Sequence, residues 1–260
     1  TTAPTLAIAS ISGGYVNDAE DENSLTISGT STGADGRTVS VDVGSILGRT
    51  ATVAVGGAWS VALSSADLKS LAEGSVNVSA NVSDAAGNAA TIATGSYIYD
   101  RTAPAVAISS PAQSGSATPT LSGTAEAGTS ITLTLGGATY LLTASGGGSW
   151  SVDTGSATPS SGTLALNANG NNAVNVSATD AAGNSSSAGQ TLLINTSSPT
   201  LGITTPISGG YVNDAEDENN LAISGTSSGV DGQTVSVNIG GTTKTATVAA
   251  GGAWQVSLSS

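Results

Sequence analysis

Apolar and polar residues alternate along this chain in short runs separated by glycine- and asparagine-rich turns. Leu6/Ile8, Leu25/Ile27, Val39/Val41/Val43, Ala51/Val53/Val55, Trp59/Val61/Leu63 and Val76/Val78/Ala80/Val82 each keep every second position apolar. A period of two is the signature of a half-buried strand, whose side chains point to opposite faces in turn. One more strand fits at residues 91–99, so about seven strands fall within roughly 95 residues, the size and strand number of an immunoglobulin-type sandwich. The period breaks once in this stretch, at residues 64–74. There Leu68 and Leu71 stand three apart and Gly74 is placed to end a turn, which predicts a short helix.

The pattern then repeats. Thr2-Ala3-Pro4 returns as Thr102-Ala103-Pro104 and, weakened, as Ser197-Ser198-Pro199, at spacings of 100 and 95 residues. The segment from Ser12 to Asn23 recurs almost unchanged from Ser208 to Asn219, and Asp84-Ala85-Ala86-Gly87-Asn88 recurs as Asp180-Ala181-Ala182-Gly183-Asn184. Gly29-Thr30, Gly123-Thr124 and Gly225-Thr226 mark a further shared point, as do Trp59, Trp150 and Trp254. Self-similarity at this period predicts an all-β chain of tandem immunoglobulin-like β-sandwich domains in a linear array. The repeats read as 1–100, 101–195 and 196–260, the third incomplete and lacking its last strands, as in a window on a longer array. Completion by strands of a neighbouring chain is the other reading. The tryptophans, each in an alternating strand after Gly-Gly, read as core residues and not as sugar platforms.

Composition narrows the chemistry. Eighteen acidic residues against five basic ones give a net charge of −13, yet charged residues are only 9% of the chain, so the acidity is clustered. Such a chain repels nucleic acid and anionic membrane surfaces and attracts cations. No apolar run reaches membrane-spanning length, which predicts no membrane insertion in this segment. Cysteine, histidine, methionine and phenylalanine are all absent. That removes disulfides and the usual zinc and copper ligands.

The Asp100-Arg101-Thr102-Ala103-Pro104 junction, Asn-x-x-Glu (Asn17, Glu20; Asn213, Glu216), Ser-Gly-Thr, Gly-Gly-x-Trp and Asp-Ala-Ala-Gly-Asn occur in fixed order along the chain. In that order they resemble the bacterial Ig-like (Big) tandem repeats of giant biofilm-associated and RTX-type surface adhesins. The resemblance covers essentially the whole chain. It implies an extracellular, bacterial cell-surface location after type I secretion, and calcium bound around the domain junctions. The second repeat departs from the pattern, with Ser114-Gly115-Ser116-Ala117-Thr118 in place of the acidic loop and Asn195 in place of the junction aspartate.

Calcium takes six to eight oxygen ligands in irregular geometry, so carboxylates drawn from several loops suit it. Following the strands up and down the sandwich puts the loop at residues 17–23 and Asp100 at one end of the first repeat. Glu126 and Asp180 fall at the facing end of the second. The expected Ca2+ ligands are therefore Glu20, Asp100, Glu126 and Asp180, with Asp18, Asp21 or Glu22 beside them. Asp84 and Glu216 occupy the corresponding places in the other copies. The linker at residues 101–104 is expected to add little restraint of its own. The competing reading makes these acids solvated turn residues bonded to their own backbones.

The leading functional expectation is a calcium-stiffened extracellular spacer of an adhesin serving adhesion and biofilm formation. Its partners would be calcium ions and the neighbouring repeats of the same chain. A self-assembling surface-layer or fibre subunit, pairing with other copies, is the first alternative, and a carbohydrate-binding accessory module the second. Enzymatic activity is not expected, because the acids sit in end loops with no facing catalytic pair.

Overall fold

The computed structural model describes residues 2–204, 210–211 and 221–259. The chain divides into two compact units. One comprises Thr1–Ala112, Thr118–Asn167 and Asn171–Leu192; the other comprises Gln113–Ala117, Ala168–Gly170 and Leu193–Ser260.

In the first unit, the opening strand is shared between two sheets. Strand β1 (Thr5–Ile8) pairs antiparallel with β3 (Leu25–Thr32), which pairs in turn with β6 (Ala58–Leu63). The chain crosses at Ser12–Gly14, and β2 (Tyr15–Val16) then joins the other sheet, parallel to β8 (Ala93–Tyr99). That sheet continues through β7 (Gly74–Asn81) and β4 (Thr38–Val43) to β5 (Ile46–Thr52). Counting β1 and β2 as one split strand gives the seven that the alternation predicts. Ile27, Val39, Val41, Trp59, Leu63, Val76, Val78 and Tyr99 from both sheets form one core.

The second set of strands repeats this plan. Strands β9 (Val106–Ile108), β11 (Thr120–Ala125) and β14 (Ser149–Asp153) form one sheet. The other contains β10 (Gln113–Ser114), β12 (Ser130–Leu135), β13 (Ala138–Thr143), β15 (Asn169–Thr179) and β16 (Ser185–Asn195), with β10 parallel to β16. In the second unit, β17 (Thr200–Ile203), β18 (Leu221–Ser228) and β21 (Ala253–Leu258) make one sheet, and β19 (Thr234–Ile239) pairs with β20 (Thr242–Thr247). Ile223, Val235, Val237, Val248, Trp254 and Val256 pack together between them.

One packing device recurs in all three sandwiches and explains two of the repeated motifs. The glycine of Ser-Gly-Thr is the direct cross-strand partner of the tryptophan: Gly29 faces Trp59, Gly123 faces Trp150 and Gly225 faces Trp254. The indole packs directly against the glycine. A Cβ placed on Gly29 would stand 2.4 Å from Trp59 Cζ2 and 2.0 Å from the Ala7 carbonyl oxygen, and the other two sites are equally tight. The three tryptophans are 3 to 4% exposed, so they are core residues, as the alternation implies.

The helix expected within residues 64–74 is α2 (Ser65–Lys69); α1 (Asp18–Asp21) precedes it in the chain. Ser64 caps α2 through a reciprocal pair with Asp67, and Leu68 and Leu71 are buried beneath it. The acidic segment, expected as a loop, is itself this first short helix, because Asn17 and Glu20 also form a capping box. An Asn-x-x-Glu sequence satisfies two backbone donors at once, and that fixes one helical turn in an otherwise irregular acidic stretch.

Candidate interdomain joint

The described residues that the sequence marks as metal ligands are carried by one short helix, three turns and one strand end. At the lower end of the first sandwich, α1 is set by its cap. Asn17 Oδ1 accepts from the Glu20 backbone N–H at 2.9 Å, while Glu20 Oε2 accepts from the Asn17 N–H at 3.0 Å and Glu20 Oε1 from Ser12 Oγ at 2.7 Å. Asp100 follows β8, and its Oδ1 accepts from the Thr102 N–H at 3.0 Å. At the facing end of the second sandwich, Asp180 closes a turn around Asn184. Its Oδ1 accepts from the Asn184 N–H at 2.9 Å and its Oδ2 from Asn184 Nδ2 at 3.1 Å. Glu126 is exposed in the β11–β12 turn, where its carbonyl accepts from Thr129 Oγ1 at 2.7 Å.

Asp84 occupies the same turn in the first sandwich, at the end away from this joint. The Asn88 side-chain amide, seconded by the Asn88 and Ala86 N–H groups, holds its carboxyl below the usual carboxylate range. Glu216 lies outside the described residues.

Two asparagines outside the expected ligand set carry the joint. Asn17 Nδ2 donates to the Ala182 carbonyl at 2.8 Å. Asn184 Oδ1 accepts from the Asp18 N–H at 3.1 Å, and its Nδ2 donates to the Asp100 carbonyl at 2.8 Å as well as to Asp180. Asp18, Asp100 and Asp180 thus converge on one amide, the first two through backbone groups. Asn184 is 7% exposed. At that burial an unpaired amide is costly, about 1–3 kcal/mol per unsatisfied group. For Asn17 the signal was the Asn-x-x-Glu spacing of a capping box, in a segment expected as a loop. Asn184 carried only the repeat of Asp-Ala-Ala-Gly-Asn as a signal.

The linker is fastened at both ends, contrary to the expectation that it adds little restraint. Glu73 accepts from the Arg101 N–H at 3.1 Å and from Thr102 Oγ1 at 2.9 Å, and Ser186 Oγ donates to the Pro104 carbonyl. Backbone donors left by the turn out of β8 need acceptors, and a glutamate beside the start of β7 supplies them.

Beneath the linker, Asp21 is fully buried. Its Oδ2 accepts from the Tyr99 hydroxyl at 2.5 Å, with Arg101 Nη1 at 3.6 Å, while Lys69 Nζ stands 4.0 Å from Oδ1 and 2.5 Å from Glu22 Oε1. Burial first, and then the Asp21 hydrogen bond, push the Tyr99 phenol far up, so it remains a donor. Glu22, chiefly by hydrogen bonding, raises Lys69. Arg49 pairs with Asp67 beside this cluster. Three of the chain's five basic residues therefore gather at the acidic end.

Those facts bear directly on calcium. Among the described residues no three acidic side chains come together as a metal-holding group. The carboxylates of Glu20, Asp84, Asp100 and Asp180 serve caps and turns. Asp21 already faces Lys69 and Arg101, and Glu22 faces Lys69. The side-chain carboxylates of Glu20, Asp100 and Asp180 bond within their own turns, and of these residues Asp100 reaches across the joint through its carbonyl.

No protein-family model matches the sequence, and no curated protein matches it significantly. Solved structures similar to this chain include parts of bacterial adhesins. One is of a 1.5-MDa bacterial ice-binding adhesin, at 25% identity over 98% of this chain and 86% of that one, with a TM-score of 0.43. A second is of a Ca2+-stabilized adhesin that helps an Antarctic bacterium reach out and bind ice, at 30% identity over 99% of this chain and 66% of that one, with a TM-score of 0.42. A third is a bacterial immunoglobulin-like domain from the M. primoryensis ice-binding adhesin, at 32% identity over 39% of this chain and all of that one, with a TM-score of 0.30.

Proposed function

We propose that this chain is a run of non-enzymatic spacer repeats from an extracellular bacterial surface adhesin, holding a binding element away from the cell during adhesion and biofilm formation. The observation that carries the reading is the first joint. Two sandwiches meet through a buried side-chain amide and a linker hydrogen-bonded to both, which is how an extended array transmits orientation from repeat to repeat. Ordinary interdomain contacts leave domains free to move, and this one is tied at Asn17, Asp18, Glu73 and Asp100 on one side and at Ala182, Asn184 and Ser186 on the other.

Calcium stabilisation of the array belongs to the proposal for the chain as a whole. The net charge of −13 favours it, since clustered carboxylates repel one another and gain from a divalent ion. The first joint contributes no three-acid shell to it among the described residues.

Light scattering in millimolar calcium, together with a glycan-array screen, tests the reading. A spacer remains a monomer and binds no sugar. Calcium-dependent growth into large particles would favour a fibre subunit, and glycan binding that quenches tryptophan emission would favour a carbohydrate module.

A further inference from the structure

We infer that Asn184 and Asn17 are positioning residues that lock the first joint at a fixed angle without a divalent cation, Lys69 and Arg101 supplying the positive charge at its acidic end. The inference rests on the spacer reading for its purpose and on the joint's own geometry for its content.

The first argument is an internal comparison. Asp84–Asn88 and Asp180–Asn184 have the same sequence and share two internal bonds: Asn88 donates its N–H and Nδ2 to Asp84 at 2.8 and 2.8 Å, as Asn184 does to Asp180 at 2.9 and 3.1 Å. The two turns differ in burial. Ala86 is exposed and Asn88 half-buried, whereas Ala182 and Asn184 are buried, at 8% and 7%. Asn184 reaches past its own turn to Asp100 and Asp18, and Ala182 receives Asn17. The turn is therefore a preorganised element whose outward amide and carbonyl read the opposite sandwich. Both Nδ2 hydrogens and the Oδ1 of Asn184 are used, so only an amide in this one orientation satisfies the site.

The second argument is charge. A divalent ion is needed where carboxylates face one another unscreened, but Asp21 has Arg101 and Lys69 within 4.0 Å and Glu73 takes up Arg101 and Thr102. Arg101 is itself the first linker residue, so neutralising the acids also holds the linker down.

The chain contains no cysteine, so spin labels at Ser60→Cys and Ser151→Cys, exposed positions on β6 and β14, report the joint by pulsed dipolar spectroscopy. The parent should give one narrow distance that is the same in calcium and in excess chelator. Asn184→Ala should broaden it, while Asn88→Ala, which removes the same turn bonds away from the joint, should not. Asn17→Asp keeps the helix-cap acceptor and loses only the donor to Ala182, so it should broaden the distance even if Asn184→Ala folds poorly. Trypsin cleavage after Arg101 should accelerate about tenfold in the asparagine variants, the factor expected from losing one or two hydrogen bonds that keep the linker closed. A narrow distance that survives both asparagine substitutions overturns the inference. So does a parent distance that broadens on chelation, which would give the joint to metal and leave the spacer reading standing. A parent distance broad in both buffers would remove both.

Discussion

Replacing Gly29 by alanine tests the packing that every sandwich here shares. The added methyl would sit 2.0 Å from the Ala7 carbonyl oxygen and 2.4 and 2.7 Å from Trp59 Cζ2 and Cε2, all well inside contact distance. Neither neighbour yields easily: Ala7 is fixed in the β1–β3 ladder opposite Thr30, and Trp59 is 3% exposed in the core. Overpacking of this kind costs about 1–3 kcal/mol, and the backbone contact places Gly29→Ala at the upper end. Trp59→Ala alone leaves a cavity costing about 3–5 kcal/mol. The two changes share one space, so the double variant should be less destabilised than the sum by about 1 kcal/mol or more. Linked repeats do not melt as one transition, so native-state hydrogen exchange at β3 and β6 amides is the suitable assay. Strict additivity, or full protection in Gly29→Ala, would show that the indole and glycine are not in the contact described.

Three further outcomes follow from the geometry. Ser64→Ala removes the α2 cap and should cost the first sandwich about 0.5–2 kcal/mol, read by exchange at Leu68 and Leu71 amides. The Asp84 carboxyl has its pKa lowered by Asn88, so its stabilising contribution is complete above the unfolded value near about 3.9 and disappears as pH falls through the folded value; Asp84→Asn should flatten that acid limb in pH-dependent exchange of the β7–β8 turn, and an unchanged limb would contradict it. If calcium stabilises the array with a dissociation constant near about 0.1 mM, millimolar calcium adds about 1.4 kcal/mol per site, seen as a melting transition that chelator lowers; a melt unmoved by either would remove calcium from the account.

The fold was legible because period-two alternation reports burial directly. Val39, Val41 and Val43 are each fully buried, and Trp59, Val61 and Leu63 line the same core. The Ser-Gly-Thr and Gly-Gly-x-Trp motifs were visible separately, but their pairing was not, since cross-strand register is a property of the assembled sheet. At the joint, the sequence drew attention to carboxylates because charge is conspicuous in a chain that carries so little of it. The side chains that cross the joint are neutral amides, and an asparagine in a turn looks the same whether its second face meets water or another domain. Asp21 shows the same limit from the other side: an acid in an acidic run gave no hint that Tyr99, Arg101 and Lys69 would enclose it, because all three come from elsewhere in the chain.

The first two sandwiches are expected to move as one body. Backbone residual dipolar couplings can be measured for both, in one weakly aligned sample with calcium and another with chelator. Couplings from β3, β4 and β7 and from β11, β12 and β15 should fit a single alignment tensor in both samples. Separate tensors of unequal magnitude for the two sandwiches would show a flexible joint and contradict it.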